Sequence, residues 1–276
     1  MEKRWNVADI QEKAAKGEKL VMITAYDATS ARLADESGVD MILVGDSLGW
    51  VSLGYESAVS VTLEEVIAHT RAVVRGSKQA MVVADLPYGS YESGEEQAVK
   101  NAIRLIKEGG AGAVKVEGGR EIVPLVSRMS KMGIPVICHM GYMPQTSWLW
   151  QESYTLGRDE ESAWELVDTA QELEEAGAIA LFLQCVAAEA AELIGKKVDV
   201  PCIGMGSGNQ VDGQAQLFFD VVGISDDIPM HARKFAQGGD ILRSAIRDYG
   251  KAVRSGVFPD EDHMEMMEED EAKRLD

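Results

Sequence analysis

Short hydrophobic runs alternate with amphipathic stretches along most of this chain. The hydrophobic runs lie at residues 20–24, 41–44, 80–84, 113–117, 134–140, 178–184 and 200–204. The stretches between them carry apolar residues at helical spacing, and they lie at residues 28–37, 62–75, 95–107, 122–131, 159–176 and 187–194. Buried strands that are each followed by a helix form βαβ units, so the pattern predicts an α/β protein with parallel strands.

The length of the chain and the number of units together indicate which parallel fold to expect. A chain of 276 residues suits one (β/α)8 TIM barrel, a fold that typically has about 250 residues. We expect a short N-terminal helix at residues 7–16, a single barrel domain over residues 1–259 and an acidic, mobile tail at 260–276. The eighth unit is indistinct, with an apolar run at 217–222 and an amphipathic helix at 240–253. A doubly wound open sheet is the alternative fold.

The chain is strongly acidic, with a formal net charge of −19 at pH 7. A negative field of this size disfavours nucleic acids and anionic membranes as partners, because both are bound through basic patches. The acidic residues are distributed over the predicted helices as well as the C-terminal segment. A solvated surface would explain them, but the distribution favours a halophilic protein, in whose cytoplasm cations screen the repulsion.

Other features of the composition indicate a soluble, cytoplasmic protein. No apolar run approaches the roughly 20 residues of a membrane helix, and no secretory leader precedes the first strand. The 3 cysteines, Cys138, Cys185 and Cys202, lie in apolar runs without CxxC spacing. We therefore expect reduced, buried thiols.

Polar and mostly charged side chains stand where four of the hydrophobic runs end. They are Asp46 with Ser47, Asp85, Lys115 with Glu117, and His139. In a barrel the carboxyl ends of the strands meet at one mouth, where the catalytic groups of this fold lie. Carboxylates at one point repel each other unless a cation holds them, and hard oxygen ligands suit Mg²⁺. The sequence therefore predicts that Asp46, Asp85 and Glu117 bind Mg²⁺ or another divalent cation.

Several blocks of the chain resemble, in order, those of one known family. The blocks are TAYD (24–27), VGDSLG (44–49), ADLP (84–87), VKVEGG (114–119), HMGYMPQ (139–145), IGMGSGN (203–209), DGQ (212–214) and FFDVVGI (218–224). They resemble ketopantoate hydroxymethyltransferase, a family of the phosphoenolpyruvate mutase and isocitrate lyase superfamily of barrels. The resemblance implies transfer of a one-carbon unit from methylene-tetrahydrofolate, or a related pterin, to 3-methyl-2-oxobutanoate. It also implies the product 2-dehydropantoate, a role in pantothenate and coenzyme A biosynthesis, and a homo-oligomer.

The resemblance assigns roles to the residues at the strand ends. The positions that match the magnesium-associated carboxylates of the family are Asp46, Asp85 and Glu117. The positions that match its contacts to the 2-oxo acid are Asp46, Ser47, Asp85 and Lys115. The implied reaction passes through an enolate that the metal stabilises, because a metal-chelated 2-oxo acid loses its adjacent proton more easily. Lys115 would supply positive charge to the carboxylate or to the enolate.

Two segments depart from the pattern of the family. Its general base is a glutamate at the end of the sixth strand, where this chain has Gln184, whose amide cannot accept a proton. The loop at residues 154–158 is shorter and lacks the usual lysine. Loss of a general base costs about 10²–10⁴-fold in rate. His139 or a metal-bound water is then a candidate base, although a strand-end histidine with a purely structural role is the alternative.

The departures leave three functions open. The first is a hydroxymethyltransferase with a slowed proton transfer. The second is a metal-dependent lyase or decarboxylase that acts on another 2-oxo acid, and the third is a catalytically weak homologue with a regulatory or interaction role. The aromatic residues at positions 142–154 either stack on the pterin donor or pack within the loop.

The halophilic interpretation predicts how stability depends on salt. We expect the midpoint of thermal unfolding to rise as KCl is increased from low to molar concentration, because cations screen the repulsion between acidic side chains. Differential scanning calorimetry measures this midpoint. A value that stays constant over the whole range would contradict the interpretation.

Overall fold

Eight parallel strands close into a barrel in the computed structural model, which describes residues 3–149 and 155–275. The strands are β1 (Leu20–Thr24), β2 (Met41–Val44), β3 (Met81–Asp85), β4 (Ala113–Glu117), β5 (Val136–Gly141), β6 (Ala180–Gln184), β7 (Cys202–Met205) and β8 (Gly213–Gln216). They pair in chain order, and β1 also pairs with β8. This closure confirms the predicted (β/α)8 TIM barrel and excludes a doubly wound open sheet.

Helices follow most of the strands. They are α1 (Val7–Ala15), α2 (Ala28–Glu36), α3 (Leu63–Gly76), α4 (Glu95–Arg104), α5 (Val123–Lys131), α6 (Glu160–Glu175), α7 (Ala188–Gly195), α8 (Phe218–Val221), α9 (Gly238–Arg254) and α10 (Glu269–Ala272). Polar side chains fix where several of them begin. The carboxylate of Asp27, for example, accepts hydrogen bonds from the backbone N–H groups of Thr29 and Ser30 at the start of α2.

Side chains at alternate strand positions fill the interior of the barrel. This cluster consists of Ile10, Leu20, Met22, Met41, Leu43, Met81, Val83, Ala113, Ile137, Ala180, Phe182, Ile203, Met205 and Ala215. Successive side chains of a strand point to opposite faces, so residues two apart share the interior. Ile10 belongs to α1, and Trp5 and Val7 pack against the same cluster, so the predicted N-terminal helix is confirmed and covers one end of the barrel.

The eighth strand lies earlier than the hydrophobic pattern indicates. The apolar run at residues 217–222 contains the short helix α8, whereas the strand is Gly213–Gln216. Only alternate residues of β8 are fully buried, and Gln214 is exposed, so its sequence carries little hydrophobic signal. The connection from β7 to β8, residues 206–212, also contains no helix that would mark the unit. The eighth unit is therefore indistinct in the sequence, and its apolar run at residues 217–222 does not mark the strand.

Two long loops lie after β2 and β5, on the side of the barrel where the strands end. The first contains the short helical segments Gly49–Leu53 and Ala58–Ser60, and the second contains Pro144–Leu149. Ala58–Ser60 and Pro144–Leu149 pack against each other. Two of the aromatic residues considered as contacts of the pterin, Trp150 and Tyr154, lie outside the described residues. Tyr154 is also the first residue of the loop 154–158, which departs from the pattern of the family.

The chain divides into two compact units, Met1–Phe218 and Phe219–Asp276. The second unit contains most of α8, the long helix α9 and the short helix α10. Along α9 the large apolar side chains of Ile241, Ile246 and Tyr249 are exposed. The expectation of a homo-oligomer remains a prediction.

The burial of the cysteines agrees with the prediction from the sequence. Cys138, Cys185 and Cys202 all lie in the interior. Among the residues described, none of the helices is both long and apolar enough to cross a membrane.

A half-buried ion pair attaches α1 to the barrel. Lys13 Nζ lies 2.7 Å from Asp40 Oδ1, and the other oxygen of Asp40 accepts a hydrogen bond of 2.8 Å from the backbone N–H of Val21 in β1. Asp40 is only 3% exposed, so it depends on these partners. The pair therefore holds α1 against the start of β1.

We expect Lys13→Met to lower the free energy of unfolding by about 2 kcal/mol, because a buried carboxylate then loses its counter-charge. Denaturation in urea measures this change. The matched control is Lys16→Met at the end of the same helix, which removes the exposed pair of Lys16 with Glu12 and should change the free energy of unfolding far less. Equal effects of the two variants would contradict the assignment.

Candidate active site at the barrel mouth

The polar residues singled out in the sequence lie at the carboxyl ends of neighbouring strands. Asp85, Lys115 and His139 occupy the next inward-facing position after the interior residues of β3, β4 and β5. The register of the barrel pairs Asp85 with Lys115, and it pairs His139 with Glu117, the next inward-facing residue of β4. All four are buried. The structure therefore brings together side chains that are far apart in the chain.

Asp46 and Asp85 form a buried acidic pair. The backbone N–H of Asp46, which follows β2 closely, donates a hydrogen bond of 3.0 Å to Asp85 Oδ2. Burial raises the pKa of Asp46, and the negative charge of Asp85 raises it further. Burial also raises the pKa of Asp85, although Lys115 acts in the opposite direction. Both carboxyl groups hold their charge more readily when positive charge is near.

Lys115 brings positive charge to this pair. Its Nζ lies 3.0 Å from Asp85 Oδ1, 2.9 Å from His139 Nδ1 and 5.3 Å from the centre of the Phe182 ring. Burial by itself lowers the pKa of Lys115, but the negative charges around it, of which that of Asp85 is the strongest, raise the pKa overall. Lys115 is therefore an ammonium group at neutral pH.

His139 is held in one neutral form. Its Nε2 lies 3.0 Å from the carbonyl oxygen of Tyr142, which can only accept, so we assign the proton to Nε2. Nδ1 then accepts a hydrogen bond from Lys115. Burial lowers the pKa of His139 well below its usual value, and the charge of Lys115 lowers it further.

Glu117 lies beside this network and points to a different partner. Its Oε2 accepts a hydrogen bond of 3.0 Å from the backbone N–H of Gln145, and its Oε1 lies 3.4 Å from His139 Nδ1. Burial raises the pKa of Glu117, and the charge of Lys115 only partly offsets this. Glu117 is thus a third buried carboxyl group in the same mouth.

Gln145 is a residue of the site that the sequence analysis gave no role. Its side-chain Nε2 lies 2.8 Å from Asp46 Oδ2, and its Oε1 accepts a hydrogen bond of 2.6 Å from the hydroxyl group of Tyr91. Gln145 and Asp46 are 99 positions apart in the chain. An uncharged amide in a loop does not by itself indicate a site. The sequence signal for Gln145 was its position as the last residue of the block at 139–145.

Ser47 and Gln184 complete the set of residues singled out in the sequence. Ser47 Oγ lies 2.8 Å from the hydroxyl group of the buried Tyr26. Gln184 ends β6 and shares the inward face of this strand with Phe182, two positions earlier. Its carbonyl oxygen accepts a hydrogen bond of 2.8 Å from the backbone N–H of Tyr142. Gln184 therefore lies at the mouth, as expected, one level above the ring that contacts Lys115.

Two of the three carboxylates that the sequence predicts as ligands of a divalent cation, those of Asp46 and Asp85, are placed to suit one. In the described part of the chain, Asp85 Oδ1 is a buried oxygen with no hydrogen bond, although it forms the ion pair with Lys115. Across the described residues, no group of three or more Asp, Glu, His or Cys side chains has the geometry to hold a metal ion. Mg²⁺ is commonly held by one or two carboxylates while water or substrate fills its other positions. Asp46 and Asp85 suit this arrangement, and Glu117 lies apart from them against Gln145.

A cavity of about 380 Å³ opens beside the ends of β4 and β5. Gly118 and Arg120 line it on the β4 side, and Met140 and Met143 line it on the β5 side. Glu117 directly precedes the first of these residues. The cavity therefore begins one residue beyond Glu117, and its lining combines apolar side chains with charged ones, among them Arg120 and Glu165.

Solved structures with this fold have little sequence in common with the chain. A phosphonopyruvate hydrolase, solved in complex with oxalate and Mg²⁺, has a TM-score of 0.61 at 14% identity, and the match covers 98% of each chain. A 2,3-dimethylmalate lyase of the PEP mutase/isocitrate lyase superfamily has a TM-score of 0.59 at 17% identity, covering 98% of this chain and 94% of the lyase. These likenesses show a shared fold.

Comparison of sequences is more specific. The family model for ketopantoate hydroxymethyltransferase matches residues 4–261. A 3-methyl-2-oxobutanoate hydroxymethyltransferase of Clostridium novyi (strain NT) is 46% identical over 270 residues, which cover 98% of each protein. One of Roseiflexus sp. (strain RS-1) is 45% identical over 271 residues, covering 98% of this chain and 97% of the relative. With this coverage and the cluster at the barrel mouth, the chain belongs to the ketopantoate hydroxymethyltransferase family, a family of one-carbon transferases.

Proposed function

We propose that this chain transfers a hydroxymethyl group from methylene-tetrahydrofolate, or a related pterin, to 3-methyl-2-oxobutanoate. The product is 2-dehydropantoate, on the route to pantothenate and coenzyme A. The observation that carries the proposal is the buried cluster at the barrel mouth of a member of this family, where the ammonium group of Lys115 lies among carboxyl groups. Such a cluster suits a small anionic oxo acid that binds together with a divalent cation.

Asp46 and Asp85 would hold the divalent cation. They are adjacent and buried, and Asp85 carries the oxygen that lacks a hydrogen bond within the described part of the chain. When bound, Mg²⁺ would draw electron density from the ketone of the oxo acid and so acidify the adjacent C–H group. The carboxyl group of Glu117 lies nearby, held in place by the backbone N–H of Gln145.

Lys115 and Ser47 would bind the oxo acid. The ammonium group of Lys115 is buried, so its attraction for a carboxylate, or for negative charge that develops on the ketone oxygen, is screened less than in water. The Oγ of Ser47 can donate to the substrate carboxylate while it accepts from Tyr26. His139 would orient Lys115, because its Nδ1 accepts from the ammonium group.

Removal of the proton is the step in which this chain differs from its family. Gln184 has no basic group, and the Nδ1 lone pair of His139 is already engaged by Lys115. Burial and the charge of Lys115 also lower the pKa of His139, which argues against this residue as the base. The side chains for binding and for charge stabilisation are present, so we expect turnover that is slow but measurable.

The cavity beside β4 and β5 is the candidate site for the pterin donor. Its volume of about 380 Å³ lies in the usual range of about 300–1,000 Å³ for small-molecule pockets. Met140 and Met143 offer apolar contact to a flat ring.

We expect the protein with Mg²⁺ to exchange the C3 proton of 3-methyl-2-oxobutanoate with solvent and to form 2-dehydropantoate when methylene-tetrahydrofolate is added. Deuterium exchange followed by NMR and chromatography of the product measure the two steps separately. Removal of the metal with EDTA should abolish both the exchange and the transfer, because the C–H group next to the ketone is then no longer acidified.

The separate steps distinguish the alternatives. Exchange without transfer would indicate a changed donor site. Cleavage of a different 2-oxo acid would indicate a lyase or decarboxylase, and absence of all three activities would indicate a regulatory or interaction role. Any of these results would contradict the proposed transfer.

We expect Gln184→Glu to increase the rate of proton exchange by about 10²–10⁴-fold, because it places a carboxylate base at the end of β6. The measurement is the initial rate of C3 exchange with Mg²⁺. The control is Gln171→Glu on the exposed side of α6, which adds the same charge away from the mouth and should leave the rate unchanged. An unchanged rate for Gln184→Glu would show that another group already serves as the base.

A further inference from the structure

One uncharged side chain connects the ends of several strands at the mouth. Gln145 lies in the loop after β5 and is only 1% exposed. Its side-chain Nε2 donates hydrogen bonds to Asp46 Oδ2 at 2.8 Å and to the carbonyl oxygen of Leu86 at 3.0 Å. Its backbone N–H donates to Glu117 Oε2 at 3.0 Å. A single residue thus contacts groups that follow β2 and β3 and a carboxylate of β4.

The orientation of the amide is determined by its partners. The carbonyl oxygen of Leu86 can only accept, so the nitrogen of the amide must face Leu86 and Asp46. The hydroxyl group of Tyr91 lies 2.6 Å from the amide oxygen and donates to it. Both hydrogens of Nε2 and a lone pair of Oε1 are therefore used, and a rotation of the amide would break three buried contacts.

The absence of charge on this side chain matters for the carboxylates. A lysine or arginine here would neutralise Asp46 and so compete with a divalent cation. The amide of Gln145 instead fixes one oxygen of Asp46 while leaving the carboxylate its negative charge. The backbone N–H holds the neighbouring carboxyl group of Glu117 in place. Gln145 thus orients Asp46 and preserves the attraction of this carboxylate for a cation.

We propose that Gln145 is a positioning residue that orients the Asp46 carboxylate for a divalent cation held with Asp85 at the barrel mouth. This inference rests on the proposed use of a metal by this site. Hydrogen-bond partners that orient metal ligands contribute strongly to affinity, and their loss commonly weakens metal binding by about 10–100-fold. Gln145 acts through the Asp46 carboxylate, so its effect should appear in cation binding even without substrates.

The test is titration of the purified protein with Mn²⁺ alone, followed by electron paramagnetic resonance. We expect Gln145→Met, which keeps the length of the side chain but removes the amide, to weaken Mn²⁺ binding by about 10–100-fold. The matched control is Gln11→Met on α1, which removes a half-buried amide that donates to the carbonyl oxygen of Ile179. This control should bind Mn²⁺ like the wild-type protein.

A second comparison separates positioning from a general loss of structure. If Gln145 acts through Asp46, adding Gln145→Met to an Asp46→Asn protein should weaken Mn²⁺ binding much less than it does in the wild-type background. Tyr91→Phe removes the hydroxyl group that anchors the amide, and it should give a smaller loss in the same direction. This variant keeps the test decisive should Gln145→Met fail to fold.

Three results would overturn the inference. They are unchanged Mn²⁺ affinity in folded Gln145→Met or Tyr91→Phe protein, an equal loss in the Gln11→Met control, and absence of Mn²⁺ binding by the wild-type protein. Formation of 2-dehydropantoate is measured independently. A wild-type protein that binds Mn²⁺ but forms no product would refute the proposed transfer and leave the comparison of the variants valid.

Discussion

An excess of buried carboxyl groups over positively charged side chains at the barrel mouth is the constraint on which the rest of the site depends. Asp46, Asp85 and Glu117 are all buried within reach of one ammonium group, that of Lys115. Burial of a carboxylate is costly unless hydrogen bonds or opposite charge replace water. Here neutral donors, among them the backbone N–H of Asp46 and the two N–H groups of Gln145, supply much of that replacement. The site therefore stays short of positive charge and suited to a cation.

The same charges set the protonation of the two bases beside them. The surrounding carboxylates hold Lys115 as an ammonium group, and this ammonium group together with burial holds His139 neutral. Two neighbouring nitrogen bases are thus kept in opposite states by one arrangement of carboxyl groups. An oxo acid at the mouth would therefore meet the ammonium group of Lys115, whose position is fixed by its hydrogen bond to the neutral imidazole of His139.

The barrel also explains how a substitution at one strand end can leave the others intact. The acidic pair and Lys115 lie at the ends of β2, β3 and β4, whereas Gln184 ends β6 on the far side of β5. Each strand end contributes its side chain independently, because the backbone of the barrel is fixed by pairing and by interior packing. Loss of a base at β6 would raise the barrier by roughly 3–5 kcal/mol without disturbing the groups that we propose to bind substrate.

Hydrophobic periodicity by itself determined the first seven strands and the polar residues at their ends, because burial on both faces forces continuous apolar runs that stop where the mouth begins. Family membership also followed from the sequence, since ordered blocks span most of the chain. Only the tertiary structure decided the position of β8, whose Gly213–Gln216 segment is a strand because β7 and β1 hydrogen-bond to it from both sides. It also decided the contacts of Gln145 with Tyr91 and Asp46, and it placed Glu117 against Gln145 and apart from the acidic pair. These depend on contacts between residues as much as 99 positions apart, and such contacts leave no local pattern.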